Sequence, residues 1–85
     1  MYVVELYIYG NYETVLAIYD KLEDAVEKAV SFVNNELLYK SDKNNPVTKE
    51  EFIKGNTFGE YRYDDENEGY VNIMDIAIGE EFCVN

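Results

Sequence analysis

The residue types that could do chemistry form a short set in this 85-residue chain, which has no histidine and a single cysteine. The commonest general base and the commonest zinc ligand are therefore missing. Cys83 has no basic side chain close in sequence to lower its pKa, and alone it forms no internal disulfide, which points to a reducing compartment. Ser31 falls on the polar side of an expected helix and Ser41 in a loop, neither with a base beside it. The glycines Gly10, Gly55, Gly59, Gly69 and Gly79 stand singly at turns, so no loop cradles a phosphate. Carboxylates remain. A pair of them can run acid–base chemistry, but a glycosidase needs a cleft for which so small a domain has little room. No catalytic residue and no cofactor is expected, and the chain reads as a binding protein rather than an enzyme.

One metal-like spacing is present. Asp64, Glu66, Glu68 and Gly69 fall at the first, third, fifth and sixth positions of a calcium loop, with Asn72 ninth and Asp75 twelfth. Glutamate is longer than the usual ligand at the third and fifth positions, and the twelfth lacks the bidentate glutamate. The flanks read as strands, not helices. The pattern is better read as an acidic hairpin tip whose glycine makes the turn, and no metal is expected.

Charge is the strongest signal: eighteen acids against seven bases, for a net charge of −11. The acids are spread along the chain, at Glu23, Asp24 and Glu27, at Glu50 and Glu51, at Asp64, Asp65, Glu66 and Glu68, and at Glu80 and Glu81, with Glu5, Glu13, Glu60 and Asp75 on strands. A disordered acidic tail would be contiguous. Such a surface repels anionic lipid and nucleic acid, so the expected partner is a basic surface. It also repels itself, so stability should rise with salt, and a homodimer would add core area. Acids two apart on a strand repeat at roughly 6.5–7 Å, and on one helix face at roughly 5–6 Å, both commensurate with backbone phosphates.

Nine tyrosines are the second signal. Tyr7 with Tyr9, and Tyr61 with Tyr63, are two apart on expected strands, so each pair shares a face. They serve either strand propensity and half-burial or a contact surface, to which tyrosine brings area and a hydroxyl at low entropy cost.

The elements that position these residues follow from periodicity. Tyr2 to Tyr9 alternates, with Val4, Leu6 and Ile8 on one side and Val3, Glu5, Tyr7 and Tyr9 on the other. Gly10-Asn11 signals a hairpin into Glu13–Tyr19, which sets Leu16 and Ile18 against Val15, Ala17 and Tyr19. Asp20 and Glu23 read as a capping box opening a helix to about Tyr39. Leu22, Ala25, Val26, Ala29, Val30, Val33 and Leu37 make its apolar stripe. A polar loop runs from Lys40 to Pro46. Thr48 and Glu51 then cap a short helix that ends at Gly55, with Phe52 and Ile53 closing the core. Phe58–Tyr63 and Gly69–Ile78 are the arms of a second hairpin, in which Val71 and Ile73 share one face and Met74 and Ile76 the other. The expectation is one α+β domain over residues 1–85: a four-stranded antiparallel sheet of two hairpins, with a long helix on one face and a short second helix, in the order ββααββ. Tyr7, Tyr9 and Glu5, with Tyr61 or Tyr63, would sit on the sheet's other face. No run of residues is apolar enough to span a membrane, and the start at Met1 lacks the basic region of a signal peptide, so a cytoplasmic location is expected.

In size, distributed acids, single cysteine and capped helix between two hairpins, the chain resembles small acidic phage-encoded DNA-mimic proteins, among them the inhibitors of the nucleoid protein HU from Bacillus-infecting phages. The resemblance implies a compact homodimer in the host cytoplasm that occupies the basic DNA-binding surface of a host protein. The candidate contacts are then Glu5, Glu13, Glu23, Asp24, Glu27, Glu60, Asp64, Asp65, Glu66, Glu68 and Asp75. The rival reading is an ordinary interaction domain that binds through Tyr7, Tyr9, Tyr61 and Tyr63, its acids serving solubility.

Overall fold

The computed structural model describes residues 1–9, 13–37, 45–65 and 69–76. It has the expected α+β architecture. Strands β1 (Tyr2–Ile8) and β2 (Glu13–Tyr19) are followed by helix α1 (Leu22–Phe32), a π-helical turn (Val33–Leu37), helix α2 (Lys49–Lys54), and strands β3 (Arg62–Asp65) and β4 (Gly69–Asp75). The sheet is antiparallel in the order β2-β1-β4-β3, so the first and last long strands pair at its centre. Gly10 and Asn11, and the helix end at Tyr39, lie outside the described residues.

Alternation decides which side chains reach the core. Val4 and Leu6 of β1 stand opposite Ile73 and Val71 of β4, and residues paired directly across a ladder share a face. That face is covered by α1 through Ala25, Val26 and Ala29, and by Val33 and Leu37 of the π-helical turn. Two alanines on the buried stripe let the helix approach the sheet closely. Phe52 of α2, 1% exposed, closes the end of this core. Each fully buried valine or phenylalanine here contributes about 1.5–3 kcal/mol by leaving water.

β2 departs from simple alternation. Its register shifts opposite Val4 and Glu5, where Ala17 and Val15 are the partners and Leu16 is the extra residue of a bulge. Val15 and Ile18 therefore share the outer face with Glu5 and Val3, while Ala17 and Tyr19 join Val4 and Tyr2 on the covered one. The expected grouping of Leu16 with Ile18 is corrected by that one residue, and Leu16 packs on the core.

The helix caps divide. Thr48 accepts from the Glu51 amide at 3.1 Å, as its spacing predicts, and the return bond of the box goes to the Glu51 carboxylate from the Thr48 hydroxyl, at 3.2 Å. At α1 the N-cap is Lys21, with no side-chain cap, in place of the expected Asp20. Asn34, on the expected polar side, holds the incoming loop: its amide donates to the Val47 carbonyl at 3.0 Å and its oxygen accepts from the Val47 amide at 2.9 Å. The second hairpin is shorter than its expected arms. Asn56 and Gly59 pair across a tight turn that lifts Phe58 into solvent, Tyr61 takes φ 53°, and the strand begins at Arg62.

Candidate sheet-face binding site

Among the described residues, both helices lie on one side of the sheet, and the other side carries the side chains with the most to offer a partner. Its register is fixed by the ladders. Val3, Glu5 and Tyr7 of β1 face Met74, Asn72 and Tyr70 of β4, and Arg62 and Asp64 of β3 face Asn72 and Tyr70. Ile18, Val15 and Glu13 of β2 complete the opposite edge.

The surface has two halves. Near the start of β1, Val3 is 1% exposed while its cross-strand partners Ile18 and Met74 remain 49% and 39% exposed, with Val15 beside them. This is an apolar patch on a face that no described element covers. Towards the other end runs a continuous row of π-systems. Phe58, 74% exposed, lies 5.4 Å from the Arg62 guanidinium carbon. That carbon sits 3.8 Å over the Tyr70 ring, Tyr70 stacks on Tyr7 at 5.3 Å and 17°, and Tyr7 meets Tyr9 edge-on at 6.1 Å and 67°. These are the favoured geometries for rings and for a cation over a ring.

Hydrogen bonds hold the row's middle members, Arg62 and Tyr70. The Arg62 fork donates to both Asp64 oxygens, at 2.8 and 3.0 Å, and Asn56 donates to the same carboxylate. Burial pushes the Asp64 carboxyl up, but the Arg62 and Asn56 hydrogen bonds and the Arg62 charge outweigh it and hold the group below the usual range. Asp64 in turn raises the Arg62 pKa. Tyr70 donates to Glu13 at 3.3 Å, and Asn72 donates to Glu5 at 2.9 Å. Burial first, then the charges of Glu13 and Glu5, raise the Tyr70 phenol above its ordinary value, so near neutrality it is a neutral donor. The face thus presents stacked aromatic area edged by carboxylates, a composition suited to binding.

The structure divides the sequence candidates. Tyr7 and Tyr9 stand on the open face. Tyr61 and Tyr63 do not: both pack against the core from the covered side, Tyr63 opposite Val71. The spacing placed each pair together but not on which side. Of the acids, Glu5, Glu13 and Asp64 lie on the open side of the sheet, each bonded within it, and Glu5 is buried there. Glu23, Asp24 and Glu27 are exposed on α1, in the other layer, and Glu60 in the loop before β3. Asp65 is buried, and Asp75 is exposed at the far end of β4, 3.9 Å from the chain's amino terminus. Glu66 and Glu68 lie outside the described residues. The calcium spacing does not converge either, because Asp64 is held by Arg62 and Asp75 lies at the opposite end of the hairpin. Sequence reasoning passed over Tyr70, Phe58 and Arg62. A signal for the last was there: it is the only arginine, two residues before an aspartate on one strand.

A groove of about 540 Å³ opens in the helix layer between Leu22, Val26 and Ile53, with Lys21, Lys49, Asp20 and Glu23 at its rim. Its charged groups carry both signs. No helix among the described residues is long and apolar enough to cross a membrane. Comparison with protein-family models, curated proteins and solved structures finds no match.

Proposed function

We propose that this chain is a non-catalytic binding domain that docks another protein on its open sheet face. The observation that carries the reading is the row from Phe58 through Arg62, Tyr70 and Tyr7 to Tyr9, on the same side of the sheet as the exposed Val15, Ile18 and Met74. Pre-ordered aromatic area costs little entropy on association and is typical of binding hot spots. The test is affinity capture with the wild type, Tyr7→Ala, Tyr9→Ala and a Glu23→Gln, Asp24→Asn, Glu27→Gln triple variant as parallel baits. A partner lost with the tyrosines and kept by the triple variant supports the reading, and the reverse pattern refutes it.

A second reading is favoured by charge. The net −11 and the exposed Glu23, Asp24 and Glu27 on one helix support a DNA mimic that blocks the basic surface of a cytoplasmic DNA-binding protein, such as a host nucleoid protein. Its partner would elute at modest salt, be displaced by duplex DNA and be lost with the triple variant.

A further inference from the structure

Resting on the sheet-face reading, we infer that the open face takes an arginine-bearing segment of its partner, with the guanidinium seated on Tyr7 and Tyr9 beside Glu13. The protein contains the pattern of this site in Arg62. That guanidinium lies 3.8 Å over Tyr70, with a carboxylate gripping its edge through two hydrogen bonds of 2.8 and 3.0 Å. The next step along the row has the same parts without the cation. Tyr7 has the exposed Glu13 as its cross-strand neighbour on β2, and Tyr9 is 47% exposed beside it, while Glu5, two residues back on the same strand, is 9% exposed and held by Asn72. Tyr70 orients the exposed Glu13 carboxylate by one hydrogen bond among the described residues, which leaves that acid further acceptor capacity.

Charge selects the occupant. Arg62 is the only cation that the described part of this face contains, and its fork is spent on Asp64. A second copy of the chain, itself at −11, would set the exposed Glu13 against like charge. A cationic segment meets a complementary carboxylate. Arginine suits the site better than lysine because its planar fork stacks on a ring and pairs with a carboxylate at once.

The experiment is a ¹H–¹⁵N NMR titration of the full chain with a short arginine–glycine peptide at physiological ionic strength. Lysine–glycine, citrulline–glycine and phenylalanine–glycine peptides serve as controls. The expected result is a saturable shift centred on Tyr7, Tyr9 and Glu13, weaker with lysine and lost with citrulline. Tyr9→Ala should reduce the arginine affinity roughly two- to fivefold, as loss of an exposed cation–π contact does. Equal binding of lysine and arginine, or shifts centred on Glu23, Asp24 and Glu27, would overturn the inference in favour of diffuse electrostatics. If the phenylalanine peptide shifts the open face and the arginine peptide does not, the face binds but not through arginine. If neither shifts it, the docking reading fails as well.

Discussion

Replacing Arg62 by alanine should destabilise the protein by about 2–3 kcal/mol. The guanidinium and the Asp64 carboxylate are only 21% and 15% exposed as side chains, so the pair is more than a surface ion pair, which is worth about 0–1 kcal/mol. It is less than a fully buried one, whose breakage costs about 3–5 kcal/mol. Truncation leaves Asp64 largely buried with Asn56 as its side-chain donor, which accounts for about 2 kcal/mol, and the Tyr70 cation–π contact adds about 0.5–1 kcal/mol. The pH dependence separates the two contributions. The folded Asp64 pKa is depressed, so its contribution is present above the unfolded value of ~3.9 and is lost as pH falls through the folded value. In urea unfolding, Arg62→Ala should thus cost most near neutrality and shrink in acid towards the cation–π remainder. Arg62→Met, which keeps the stem over Tyr70, should cost less than alanine at both ends. A cost within about 0.5 kcal/mol of zero at neutral pH would refute the pairing, and a cost that does not change with acid would refute the role assigned to Asp64.

Three further outcomes follow from the same geometry. Gly69 takes φ 154°, and a Cβ there would fall 1.8 Å from the Tyr7 carbonyl oxygen, so Gly69→Ala must part β1 from β4 and cost at least about 1–3 kcal/mol, read by thermal unfolding. Phe52→Ala empties the closed end of the core and should cost about 3–5 kcal/mol in urea, a large share of the stability of so small a domain. The raised Tyr70 pKa contributes stability that is complete below the unfolded value of ~10 and lost as pH rises through the folded one, so Tyr70→Phe should flatten the alkaline unfolding curve.

Much of this architecture was legible from period alone. The stripe from Leu22 to Leu37 and the cap at Thr48 and Glu51 depend on local spacing, and local spacing decides them. Face assignment in the last hairpin was not legible for Tyr61 and Tyr63. Alternation says which residues share a side, but the turn from Asn56 to Gly59 and the positive φ of Tyr61 decide which side is covered. The Leu16 bulge is likewise silent in sequence, because it arises from pairing with β1. At α1 the expected cap Asp20 falls one residue short, because the backbone turns helical only after Lys21. The row that defines the site joins β1, β3 and β4. Tyr7 and Tyr70 lie far apart in the chain and meet only through the central β1–β4 ladder, so no local pattern links them.

Covalent footprinting of the chain, free and bound to its captured partner, tests the central claim most directly. One sample receives a tyrosine-selective reagent and a parallel one a carboxylate-selective reagent, each read by mass spectrometry. If the open sheet face is the docking surface, Tyr7 and Tyr9 lose reactivity on binding while Glu23, Asp24 and Glu27 keep theirs. Protection of those three helix acids with unchanged Tyr7 and Tyr9 would contradict it and move the binding surface to the charged helix layer.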